Sequence, residues 1–61
     1  MYQEICVKGC TDSKQLYIDV TKIRSSVSVT DLGTSVWVYG DMTQEEFDEV
    51  IRICQKYGDI E

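Results

Sequence analysis

The chain has 61 residues, and 11 acidic against 6 basic side chains leave it a net charge of −5 at neutral pH. So short a chain buries only about 60% of the surface its unfolded form exposes, which excludes a deep water-free pocket beside a separate core and places any functional site on a face, in a groove or at an interface. The negative charge disfavours direct binding to nucleic acid and to anionic membranes, and the absence of histidine removes the imidazole base and the commonest metal ligand.

From the start of the chain, Tyr2 to Lys8 reads as a strand, with Ile5 and Val7 on one face and Glu4, Cys6 and Lys8 on the other. Gly9 to Lys14 has loop composition. Gln15 to Ile23 alternates with period two, which predicts a second strand: Leu16, Ile18 and Val20 inward, Tyr17, Asp19 and Thr21 outward. Arg24-Ser25 is a weak turn signal before a third strand, Ser26 to Thr30, with Val27 and Val29 inward. Asp31-Leu32-Gly33-Thr34 supplies better turn chemistry. The fourth strand, Ser35 to Gly40, sends Val36 and Val38 to one face and Trp37 and Tyr39 to the other.

The last third predicts a helix. Thr43 and Glu46 have capping-box spacing, and Met42 and Phe47 the spacing of a hydrophobic staple. Phe47, Val50, Ile51, Cys54 and Tyr57 then form one stripe. Asp48 and Arg52 can pair on the solvent side, and Gly58 can end the helix in the left-handed conformation. The expected fold is α+β: one domain over residues 1–61, with a small antiparallel sheet of three to four strands in a meander and one C-terminal amphipathic helix packed on one face.

One helix covers one side of a sheet, so the other side is expected to carry Tyr17, Trp37 and Tyr39, with Cys6 and either Tyr2 or Ile23 nearby. Rings of this kind are favoured anchors at protein interfaces; the plainer alternative is cross-strand aromatic packing on a wet sheet. A base-stacking platform for single-stranded nucleic acid is disfavoured, because Glu4 and Asp19 face Lys8 alone and no basic groove exists. The charge is also unevenly spread. Residues 1–40 carry four groups of each sign, whereas residues 41–61 carry seven acidic against two basic groups. Glu45 and Glu46 complement the helix dipole. Asp41, Asp48 and Glu49 extend the acidic cluster, either as a solubilising face or as a surface for a cationic partner.

Other chemistry finds little support. Cys6, Cys10 and Cys54 are too few for a thiolate metal site without Asp12 as a fourth ligand. The odd count fits reduced thiols in the cytoplasm, with Cys10, in a loop, the most reactive. No stretch is long and apolar enough for a membrane span, and Met1 to Glu4 lacks the pattern of a secretion signal. The four glycines form no phosphate-binding loop. The expectation is therefore a non-enzymatic protein-binding or regulatory module without cofactor or metal. It would contact another protein, or a second copy of itself as a homodimer, through Tyr17, Trp37 and Tyr39. The alternative uses Asp41, Glu45, Asp48 and Glu49: an acidic inhibitor that blocks a basic nucleic-acid-binding protein. In size and charge alone, that is similar to the small anti-defence inhibitors of phages and mobile elements.

Overall fold

The computed structural model describes residues 1–61. In chain order the elements are β1 (Tyr2–Lys8), α1 (Ser13–Ile23), β2 (Ser28–Asp31), β3 (Ser35–Asp41), α2 (Gln44–Gln55) and β4 (Asp59–Ile60). The sheet is antiparallel, in the order β2-β3-β1-β4. The fold is α+β with four strands and two helices. This connectivity is the split β-α-β arrangement, in which each helix carries the chain past one intervening strand. It replaces the expected meander: β1 lies between β3 and β4, and the segment after it is a helix rather than a strand.

That segment is the main correction. Gln15 to Ile23 lies within α1. Its start is fixed by Asp12, whose Oδ1 accepts the Gln15 N–H at 3.0 Å, an N-cap that satisfies one of the orphan amides of the first turn. Leu16 and Val20, four apart, are fully buried, while Ile18 is 39% exposed. A strand would have placed all three on one face; a helix separates Ile18 from the other two. Tyr17 is consequently on the outer side of α1 and 48% exposed. Asp19, Thr21 and Ile23 also belong to the helix rather than to the sheet.

The remaining elements follow the sequence more closely. The β2–β3 hairpin turns at Asp31 to Thr34; the Asp31 carboxylate accepts the Gly33 N–H at 2.8 Å, and Gly33 has φ +89°. Thr43 and Glu46 form the capping box at α2, and Met42 before it is fully buried. Asp48 accepts from the Gln44 side chain at 2.9 Å rather than pairing with Arg52. Gly58 is needed for a different reason from the one its position suggests. Its φ is not positive; instead, a Cβ there would lie 2.5 Å from the Lys8 carbonyl oxygen. The close approach lets the chain turn into β4, a two-residue strand beside Val7 and Lys8.

One core joins both layers. Ile5, Val7, Val36 and Val38 from the sheet meet Leu16, Val20, Val50 and Cys54 from the helices, with Val27 and Met42 at the connections. Both helices therefore lie on the same side. Two polar contacts join the helical layer. Arg24 at the end of α1 donates to Glu46 Oε1 at 3.0 Å, the same oxygen that accepts the Thr43 amide. Tyr57 donates its hydroxyl to Asp19 Oδ2. The latter bond holds the Asp19 carboxyl below the usual carboxylate range and pushes the Tyr57 phenol up to about 12. Burial pushes the Cys54 thiol up to about 12 as well.

Two outcomes follow from this packing. Leu16→Ala is expected to destabilise the protein by about 2–5 kcal/mol and Ile18→Ala by less than about 1 kcal/mol, read from urea unfolding midpoints. Stability is also expected to fall at high pH. In the unfolded chain the thiol ionises near 8.5 and the phenol near 10, whereas in the fold both hold their protons to about 12. Their contribution is complete below about pH 8.5 and is lost as pH rises toward 12. Asp19 acts at the other end, its contribution complete above about pH 4 and lost as pH falls below that. Urea midpoints across pH, with Tyr57→Phe beside wild type, measure both; the variant should show a shallower alkaline decline.

Candidate protein interface

With both helices on one side, the other side of the sheet has no helical cover. Alternation along the strands assigns to it Tyr2, Glu4, Cys6 and Lys8 from β1, Ser35, Trp37 and Tyr39 from β3, and Ser28 and Thr30 from β2. The register aligns Cys6 with Trp37 and Thr30, and Glu4 with Tyr39 and Ser28.

The backbone bonds define how closely these side chains meet. The Met42 N–H donates to the Met1 carbonyl, and the Glu61 N–H to the Cys6 carbonyl. Odd-numbered residues of β1 thus direct their peptide groups at β3, and even-numbered ones at the β4 side. Cys6–Trp37 and Glu4–Tyr39 are then non-hydrogen-bonded pairs, the closer-set kind, with Cα atoms about 4.5 Å apart. Cys6 is only 7% exposed on a face without a helix; its cross-strand neighbours there are Trp37 on β3 and Glu61 after β4. Lys8 and Glu61, paired at 2.7 Å, close the neighbouring side.

The rings on this face are half-buried rather than bare. Trp37 and Tyr39 both keep part of their surface in water, and Tyr39 is anchored by a 2.9 Å hydrogen bond between its hydroxyl and Thr30 Oγ1. Tyr2 is 58% exposed and reaches Glu4 Oε2 at 3.3 Å. Tyr2 is diagonal to Tyr39 across the β1–β3 pair, within reach of long side chains, so Tyr2, Tyr39 and Trp37 form one aromatic run. Tyr2 takes the place that Tyr17 was expected to fill; Tyr17, on α1, is on the other side of the molecule. The signal for Tyr2 was its alternation with Glu4 and Cys6.

The acidic residues divide between the two sides. Asp41 ends β3 beside Tyr2, near the Met1 ammonium at 3.8 Å. Glu45, Asp48 and Glu49 are exposed on α2, on the helical side, so they cannot share one flat contact with Trp37. There, Lys22, Ile23, Thr43, Glu45, Glu46 and Glu49 line a shallow groove open to solvent. Glu46 within it is committed to Thr43 and Arg24, which hold its carboxyl below the ordinary range, the Thr43 amide foremost. No buried side-chain polar atom lacks a hydrogen-bond partner.

The three thiols are free, and no group of three cysteine or carboxylate side chains is placed to hold a metal ion. No helix is long and apolar enough to cross a membrane. Comparison with protein-family models, with curated proteins and with solved structures finds no match.

Burial ranks the thiols. Cys10 is half-buried, and Cys6 and Cys54 are buried. Intact-mass measurement after brief treatment with an alkylating reagent should find one modification in the native protein, at Cys10, and three after denaturation. Trp37→Ala should add a second native modification, at Cys6.

Proposed function

We propose that this chain is a non-enzymatic cytoplasmic binding module that contacts a partner protein through the helix-free face of its sheet. The observation that carries this reading is the aromatic run of Tyr2, Tyr39 and Trp37 across neighbouring positions of β1 and β3. A wet sheet face is ordinarily polar, as Ser28, Thr30 and Ser35 are here. Large rings partly held in place by their neighbours offer contact area with little side-chain entropy left to lose. The absence of histidine and the shallow acidic groove on the helical side favour binding over catalysis.

Trp37→Ser tests it. Partner capture from the native host's lysate should recover a protein with wild type and lose it with the variant, while circular dichroism shows the variant folded. Equal recovery by the two would remove the reading.

A further inference from the structure

β2 is the outer strand of the sheet, placed there by its hairpin to β3 and by β1 on the far side of β3. Half of its peptide groups face outward. The Leu32 N–H donates to the Ser35 carbonyl at 2.8 Å, and the register runs on from that pair through Thr30–Trp37 to Ser28–Tyr39. Even-numbered residues of β2 therefore bond β3, and odd-numbered ones turn their peptide groups away from it. The N–H and C=O of Val29 and of Asp31 meet no backbone partner. Natural edges are guarded by lysine, proline or a bulge. This one has none of them: the chain lacks proline and Ser25 to Thr30 carries no charge, and the pairing with β3 is unbroken. The only charge on β2 is Asp31, whose carboxylate is held by Ser13 and Gly33.

The distribution of charge selects the occupant. Residues 1–40 carry four groups of each sign, and the whole excess of −5 belongs to residues 41–61. α2 packs on α1, β1 and β4, whereas α1 packs on β2. The β2 edge is thus on the neutral half of the molecule. A second copy joined there keeps both acidic halves outermost.

We propose that two copies of this chain join antiparallel through β2, about a two-fold axis at Thr30, into one eight-stranded sheet. In this register Val29 lies opposite Asp31 of the second copy, so all four free peptide groups on each chain find partners. Centring the pair on Val29 instead would call on Val27, whose N–H is already given to the Arg24 carbonyl, and centring it on Asp31 would set two carboxylates face to face. With Thr30 on the axis, Leu32, 61% exposed, comes opposite Ser28 of the second copy, the residue beside Tyr39. The axis stands perpendicular to the sheet, so the aromatic runs of both copies share one side. This goes beyond the binding-module reading and does not depend on it.

Sedimentation equilibrium should give twice the chain mass of 7.0 kDa at high protein concentration. Added salt should leave the dimer intact, because it screens only the repulsion between the acidic halves. Dilution should speed hydrogen exchange at the Val29 and Asp31 amides and leave Thr30, bonded to β3, unchanged. Val29→Pro removes an outward amide and no bond to β3; Thr30→Lys leaves the backbone whole and sets two ammonium groups opposite each other on the axis. Both should run at the single-chain mass while circular dichroism shows them folded, and Thr30→Lys decides the matter if Val29→Pro does not fold.

A single-chain mass for wild type at every concentration would overturn the proposal. So would a doubled mass that folded Thr30→Lys retains, or exchange at Val29 that is slow in dilute, single-chain protein. If Trp37→Ser returns the protein to single chains and Thr30→Lys does not, the copies meet through the aromatic face and the edge is wrong. A dimer that survives Trp37→Ser and is lost in Thr30→Lys supports the edge, whatever partner the aromatic face binds.

Discussion

The antiparallel pairing of β1 with β3 is the constraint from which the rest of the structure follows. It aligns Ile5 with Val38 and Val7 with Val36, so that four buried aliphatic side chains form the floor on which both helices rest. Because these are the odd residues of one strand and the even residues of the other, the same pairing sends Cys6, Trp37, Glu4 and Tyr39 to the opposite side. Core and candidate interface are two faces of one register, and a slip by one residue would exchange them.

Only eleven of the 61 residues are buried, so the helices depend on local anchors as well as on the core. Asp12 and Thr43 cap their N-termini. Arg24 and Glu46, then Tyr57 and Asp19, join one helical segment to the other at separate points. Gly58 lets the chain after α2 press against Lys8, and β4 follows.

Charge is separated along the same geometry. The acidic excess belongs to residues 41–61 and is shared between Glu45, Glu46, Asp48 and Glu49 on α2 and Asp41, Asp59 and Glu61 on the helix-free side. Part of it stabilises the first turn of α2 through the helix dipole and the capping box. The helix-free side carries the rings together with Glu4, Asp41, Asp59 and Glu61, two of which pair with the Met1 ammonium and Lys8. The rings and Glu45, Asp48 and Glu49 therefore lie on different sides of the molecule.

Much of this was legible in the residues. Capping-box spacing located α2, the turn at Asp31 to Thr34 located the hairpin, and alternation separated Val36 and Val38 from Trp37 and Tyr39. In each case a local rule decides: hydrogen bonds within a turn, or a period of two along a strand. Gln15 to Ile23 was misread because Leu16 and Val20 fit both periods, and only Ile18 favoured the strand. The capping spacing of Asp12 and Gln15 was the opposing signal. Tertiary structure alone decided that β1 lies between β3 and β4 and that Gly58 abuts Lys8, whereas alternation already put Tyr2 on the side of Glu4 and Cys6. Those outcomes depend on which distant segments pack together. A single sequence states its short-range preferences directly, but strand order is set by the one arrangement that buries all the apolar faces at once.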